Sequence, residues 1–272
     1  MGLKRFAGRL QRSIAKRLSK ASPKPVEAPK AATTVRPTAA GNRNVPDHVP
    51  FIVPEASLSE LFPGADQAEV VMLPRLIRSH KWAMPEHELL TLGALIKMLQ
   101  PRLIVEFGTF MGGSTLTMAA NMPEDGRIVT IDLDPNVRGT HVHGQGVGLS
   151  NFDVGCLFQG TRYERQIEQR FANSVEFSDH DLLAAADLVF VDADHTYEFC
   201  KRDTQTAVTF AKPSGALLWH DYTWEPAAKE CVGVTQTVNE FWEERGGCRQ
   251  VAGTRFAVYL PKLASAAQSA AA

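Results

Sequence analysis

The stretch "IVEFGTFMGGST", Ile104 to Thr115, decides the reading of this chain. An apolar run ends on a carboxylate, passes through Gly108, Gly112 and Gly113, and continues into residues that suit a helix start. Strand, glycine turn and helix in that order form half of a unit with parallel strands. The neighbouring segments repeat the alternation. "PEHELLTLGALIKMLQ" (85–100) has Pro85 near its start and apolar residues at helical spacing. "GRIVTID" (126–132), "ADLVFVDAD" and "PSGALLWHD" read as strands, the last opening at Gly215. "YEFCKRDTQTAVTFAK" and "VTQTVNEFWEER" read as helices, and "TRFAVYL" as a closing strand. "TRYERQIEQR" reads as a charged helix face. The expected fold is a Rossmann-like, doubly wound α/β sheet with helices on both faces.

Around this body the chain divides by composition. It has 272 residues, 44% hydrophobic and 22% charged, enough for one α/β domain and an appendage. The net charge of −1 hides an asymmetry. Residues 1–50 hold eleven Lys and Arg against Glu27 and Asp47, and the remainder holds eighteen against twenty-eight acids. In residues 1–20, Leu3, Phe6, Leu10, Ile14 and Leu18 recur at helical spacing among seven basic residues. That pattern predicts a basic amphipathic helix, suited to peripheral contact with an anionic membrane or to a mobile solubilising arm. Residues 21–50 carry six prolines and six alanines and read as a disordered linker, 51–262 as the catalytic-size domain, and 263–272 as a disordered tail. No apolar run is long enough for a membrane span. Cys156, Cys200, Cys231 and Cys248 form no CxxC pair and read as reduced thiols of a cytoplasmic protein, with the inner membrane face as the place the basic arm would take it.

Ligands of parallel sheets bind beyond the carboxyl ends of the strands, which points to Glu106, Asp132, Asp192 and Asp221. A dinucleotide fingerprint needs a second glycine where Phe110 stands, so a pyrophosphate is disfavoured. Asp132 ends the next strand, where a carboxylate can accept from both hydroxyls of a ribose. Together these suggest an adenosine-type ligand without a diphosphate, and S-adenosylmethionine fits. Asp192, Asp194 and His195 in "VDADHTYE" and His220 and Asp221 in "LLWHDY" follow two strand ends that should converge. The carboxylates of Asp192 and Asp221 suit a hard cation such as Mg²⁺, and His195 suits general-base work near neutral pH. Asp192 could instead cap the following helix, His220 could be a satisfied strand-end histidine, and Asp203 reads as solvated or paired.

The motifs "VEFGTFMGGSTL", "TIDLDP", "FANS", "DLVFVDADHTYE", "LLWHDY" and "GTRFAVY" resemble class I S-adenosylmethionine-dependent methyltransferases. They look most like the bacterial methyltransferase family 24 group, similar to catechol and caffeoyl-CoA O-methyltransferases, over about residues 80–260. The resemblance implies a seven-stranded sheet, mostly parallel, with a reversed last strand supplied by "GTRFAVYL". It implies Glu106, Gly108 and Phe110 beside the methionine part of the cofactor, Ser114 on its carboxylate, Asp132 on its ribose, and Asn173 and Ser174 flanking adenine. It implies Asp192 and Asp221 as metal ligands, and His195 where relatives carry a catalytic lysine. The third ligand of the family is an Asn, replaced here by Tyr222. His220 is the substitute at hand, although imidazole prefers softer metals than Mg²⁺.

The leading expectation is methyl transfer to a hydroxyl of a glycan, glycolipid or natural product, with a phenolic acceptor as an alternative. A nicotinamide-dependent oxidoreductase and a membrane-associated module that binds the cofactor without catalysis are the competing classes. The acidic body argues against nucleic acid. Self-association into a homo-oligomer is left open by the sequence.

Overall fold

The computed structural model describes residues 49–77, 82–134, 154–223 and 231–265. The expected helix over 1–20, nearly all of the expected linker, the glycine-rich run of 135–153 with His141 and His143, and the end of the tail lie outside the described residues. The strands are β1 (Glu55–Ala56), β2 (Leu103–Phe107), β3 (Arg127–Asp132), β4 (Ile167–Phe171), β5 (Ala186–Val191), β6 (Ala211–Trp219), β7 (Cys248–Val251) and β8 (Ala257–Tyr259). They form one sheet in the order β1-β7-β8-β6-β5-β2-β3-β4. All neighbours are parallel except β8, which runs antiparallel to both β6 and β7. The α/β class and the reversed last strand are as the sequence implies. An eighth strand, the two-residue β1, is added at the edge beside β7.

Among the described residues the strands are accompanied by the α-helices α1 (Leu58–Leu61), α2 (Glu86–Leu99), α3 (Gly113–Asn121), α4 (Tyr197–Phe210) and α5 (Val232–Arg245). Period-2 alternation divides the central strands between two apolar layers. Ile104, Ile128, Leu188 and Phe190 face one way and pack with Leu92, Leu95 and Ile96 of α2 and Met118 of α3. Val105, Val129, Val189 and Val191 face the other way and pack with Cys200, Ala207 and Phe210 of α4 and Val234, Val238 and Phe241 of α5. Each fully buried aliphatic of this kind stabilises the fold by about 1.5–3 kcal/mol. No described helix is long and apolar enough to cross a membrane.

Three local expectations differ from the structure. "TRYERQIEQR" is a 3₁₀ turn (Glu164–Gln166) followed by the edge strand β4, not a helix. Its charges are those of a half-exposed sheet edge, where Arg170 pairs with Glu168 and Asp179 and Arg127 with Glu168. An edge strand has one side in water, so its pattern lacks the apolar run that marks β2 or β5. Residues 261–265 are helical, with Leu263 and Ala264 packed inward, so the tail begins later than 263. Val49 and Pro50, expected in the linker, are tied to the body: Val49 is buried and the Pro50 carbonyl accepts from the Asn239 amide.

Asp203 on α4 is neither solvated nor paired. It is fully buried, and among the described residues neither carboxylate oxygen completes a hydrogen bond. Burial pushes its carboxyl from 3.8 up to about 7. The Ser174 hydroxyl, too poorly placed for a true hydrogen bond, pulls the other way, and the Asp194 charge adds to the rise. Between these two pH values the folded chain holds a proton that the unfolded chain releases, so folding stability falls as pH rises through that window. Asp203→Asn removes the loss. Its urea-denaturation stability relative to wild type should improve from pH 5 to pH 8, by at most about 3 kcal/mol. An offset that is the same at both pH values would contradict the assignment.

Candidate active site at the switch point of the sheet

The chain runs outward from β2 through β3 to β4, then returns to the other side of β2 to begin β5. The crevice beyond the ends of β2 and β5 is therefore the switch point where open α/β sheets bind ligands. Gly108 leaves β2 there with φ +95°, and a Cβ on it would stand 2.0 Å from the Asp192 carbonyl oxygen. Only glycine fits that approach. The amide of Asp192 donates to the Phe107 carbonyl (2.9 Å), and the amide of Gly108 to the Ile131 carbonyl (2.8 Å). Thus β2, β3 and β5 are laced together at the point where the polar residues begin.

The turn after Gly108 is held by Asp132. Its Oδ2 accepts from the amides of Thr109 (3.1 Å) and Phe110 (2.7 Å), and its Oδ1 from the Leu133 amide (2.7 Å). Phe110 takes φ +49°, a conformation rare for a bulky residue, so the backbone here is that of a glycine turn without the glycine. Asp132 was expected at a ribose; it also fixes the turn. Glu106 and Ser114 differ more. Glu106 has no exposed surface, and its oxygens accept from the hydroxyls of Ser114 (2.6 Å) and Thr115 (2.5 Å) at the start of α3. Burial pushes its carboxyl up to about 7, against the pull of the Ser114, Thr115 and Thr130 hydroxyls. Glu106 clamps β2 to α3 rather than lining the crevice, and the Ser114 hydroxyl is spent on that clamp. Asn173 caps the short turn Ser174–Glu176 by accepting from the Val175 amide, and Ser174 starts that turn beyond the end of β4.

On the β5 and β6 side the acids and histidines do converge. His195 Nε2 lies 2.9 Å from Asp221 Oδ2. His220 Nδ1 lies 3.3 Å from both Asp192 Oδ1 and Asp221 Oδ2, while its Nε2 lies 2.9 Å from Glu88 Oε2. Arg255 donates from Nη1 to Asp221 Oδ1 (2.6 Å) and from Nη2 to Glu88 Oε2 (2.9 Å). Its backbone amide also reaches Glu88 Oε1 (2.8 Å). Asp221 sits at φ +60°, a strained position for a side chain other than glycine. Burial alone would raise the Asp221 carboxyl, yet the His220 and His195 charges hold it well below the usual carboxylate range. The same pairing raises both imidazoles well above 6.5 despite their burial. The Glu88 carboxyl is held at about 2, because its bonds to His220 and Arg255 outweigh burial. Asp194, not Asp192, caps the approach to α4, accepting from the amide and hydroxyl of Thr196. Tyr222, in the expected third-ligand position, is fully buried. Its phenol donates to Asn239 Oδ1 (2.7 Å) and accepts from the Val53 amide (3.2 Å), away from the acids.

Sequence reasoning missed Glu88, Arg255 and Cys231. Cys231 Sγ lies 3.9 Å from His195 Nδ1. Glu88 had a legible signal: it occupies the same stripe of α2 as Leu92, Leu95 and Ile96, all buried. A carboxylate on an apolar stripe demands a buried partner.

Residues 105–222 match a family model described as a methyltransferase domain. The caffeoyl-CoA O-methyltransferase of Pinus taeda is 26% identical over 131 residues, 45% of this chain and 45% of its own length. Tapetum-specific methyltransferase 1 of Arabidopsis thaliana is 43% identical over 51 residues, 19% of this chain and 22% of its own. The chain thus spans less than half the length of these curated relatives. Among solved structures, the O-methyltransferase TomG from Streptomyces achromogenes, involved in tomaymycin synthesis and solved in complex with SAM, has 20% identity and a TM-score of 0.53. It covers 75% of this chain and 99% of its own, a likeness of fold. The matched residues contain the glycine turn and the Asp192, His195, His220 and Asp221 cluster. Glu88, Cys231 and Arg255 join it from outside the matched segment.

The Arg255 guanidinium neutralises two buried carboxylates. Arg255→Met should cost about 3–5 kcal/mol in chemical denaturation, because it takes the guanidinium from two buried carboxylates and leaves them only imidazoles. Arg127→Met, at an exposed pair with Glu168, should cost less than about 1 kcal/mol. Equal effects would show that the buried pairing carries no stability.

Proposed function

We propose that the chain is an S-adenosylmethionine-dependent O-methyltransferase, with the cofactor in the β2/β5 crevice and His195 as the base. The observation that carries this reading is the His195–Asp221 pair standing across the switch point from the glycine turn, inside a methyltransferase domain. The residues present fit the cofactor. The Gly108–Phe110 backbone approaches without a side chain at Gly108, Asp132 stands at the next strand end, and Asn173 and Ser174 lie beyond β4. Because Ser114 is bonded to Glu106, the cofactor's carboxylate would be met by the backbone amides at the start of α3 rather than by that hydroxyl. When bound, S-adenosylmethionine supplies an electrophilic methyl group on sulfur.

The residues of this chain then position and deprotonate the acceptor. Despite burial, the Asp221 charge holds the His195 imidazole well above its usual range, so the base is the ring after it has shed its Nδ1 proton. In that neutral form Asp221 accepts from Nε2–H and Nδ1 is the basic nitrogen. His195 Nδ1 would take the proton of the acceptor hydroxyl, leaving an oxygen nucleophile for the methyl group that the bound cofactor would supply. Holding the two reactants in line is the larger part of the work. The resemblance also implies a divalent cation, and the donor set fits one: Asp192 Oδ1, His220 Nδ1 and Asp221 Oδ2 all lie within 4.8 Å of one another. Bound there, a cation would lower the pKa of an acceptor hydroxyl. We assign the acceptor to hydroxyls of glycans, glycolipids or natural products; the basic sequence of residues 1–20 supports a substrate held near a membrane.

Calorimetric titration should show binding of S-adenosylmethionine or its demethylated product, and none of NADH. NADH binding without the sulfur ligands would return the turn to a dinucleotide site. With an acceptor drawn from a panel of sugar and phenolic hydroxyls, His195→Gln should lower kcat by about 10²- to 10⁴-fold and leave cofactor affinity unchanged. Undiminished turnover in that variant would remove His195 from the mechanism.

A further inference from the structure

His220 is placed in an unusual way for a strand-end histidine. Both of its ring nitrogens face carboxylates: Nε2 faces Glu88 at 2.9 Å, and Nδ1 faces Asp192 and Asp221 at 3.3 Å each. Glu88 is itself immobilised. It is 1% exposed, and Arg255 grips it through the backbone amide, Nε and Nη2. A carboxylate that accepts from one imidazole nitrogen, with the other nitrogen turned to a cluster of oxygens, is the outer arrangement of many metal-bound histidines. The carboxylate fixes the tautomer and strengthens the metal-facing nitrogen as a ligand. A spacing of 3.3 Å between donor atoms also suits a shared ion with bonds of about 2.1 Å.

We infer that Glu88 is a positioning residue that makes His220 a nitrogen ligand and so selects a later first-row transition metal, such as Zn²⁺ or Co²⁺, over Mg²⁺ at Asp192, His220 and Asp221. The inference rests on the cation reading of this site and not on the identity of the acceptor. Two features of the chain support the selection. The oxygen donor that an Asn would supply at position 222 is absent, and the Tyr222 phenol that replaces it is committed to Asn239 and Val53. What remains pairs one imidazole with two carboxylates, and an imidazole in the donor set favours transition metals over a hard cation. Glu88 and Arg255 lie outside residues 105–222, so this preference is added to the methyltransferase domain by its flanks. On binding, the ion takes the Nδ1 lone pair and the Nδ1 proton leaves to solvent, while Nε2–H stays on Glu88.

The test is a metal titration of the full chain, stripped with a chelator, followed by calorimetry and by the visible absorption of Co²⁺. One Co²⁺ per chain should bind, at least roughly tenfold more tightly than Mg²⁺. Glu88→Gln should weaken Co²⁺ by about 10- to 100-fold and shift its absorption bands. His220→Gln should abolish Co²⁺ binding at concentrations that saturate wild type. Wild type that binds Mg²⁺ as tightly as Co²⁺, or neither ion, overturns the inference without any variant having to fold. So does a Glu88→Gln protein with wild-type Co²⁺ affinity and spectrum. S-adenosylmethionine binding, measured in the same metal-free sample, reports separately on the methyltransferase reading. Cofactor binding without metal selectivity defeats only the metal inference, and metal selectivity without cofactor binding defeats only the other.

Discussion

Where Gly108 passes Asp192, two strand ends come too close for any side chain between them. That contact sets the geometry of everything above it. It lets the Asp192 amide bond to Phe107 and holds β5 in register with β2, which brings the acid ending β5 beside the turn leaving β2. The Asp132 carboxylate then gathers the Thr109 and Phe110 amides into one arc, at the cost of a positive φ for Phe110. A methyl at position 108 would push β5 outward and move Asp192 and His195 with it. The crevice is thus a consequence of backbone packing before any ligand chemistry enters.

The buried acids divide by partner rather than by depth. Glu106 and Asp203 meet hydroxyls or nothing, and burial takes both up to about 7. Glu88 and Asp221 are as deeply placed, yet imidazoles and a guanidinium hold them low. Replacing a hydroxyl by a cation as the neighbour reverses the direction of the shift. Glu106 clamps a helix start, whereas Asp203 is buried on α4 without a cation. The second pair forms the charged floor of the site.

The sheet was largely legible because its central strands are buried on both faces, and continuous apolar runs such as "RLIVEF" and "ADLVFV" mark them out. β1, β4 and β7 were not: β1 and β4 are edge strands, specified by pairing to a neighbour more than by their own pattern, and β7 is four residues with charge and amide between its two buried ends. In the site, residues at strand ends could be placed from topology alone, which is why Asp192, His195, His220 and Asp221 were found together. The uses of Ser114, Glu106 and Tyr222 were not readable, because each depends on which of several neighbours takes its hydrogen bond. Arg255 sits in a quoted motif without any local sign that its guanidinium would reach back to α2.

That reach has a temporal side. Arg255 and Glu88 are 167 residues apart in the chain, and Asp221 lies between them in sequence. Contacts of such separation carry a large loop-closure entropy and form late. Arg255 stands two residues before β8, so it is synthesised after β2, β3, β5 and β6. A chain emerging from the ribosome can therefore build β2, β3 and β5 while Glu88 and Asp221 still lack their cation. The charged floor of the crevice is completed only when β8 inserts beside β6, so that a half-folded chain would carry the glycine turn without the paired charges beside it.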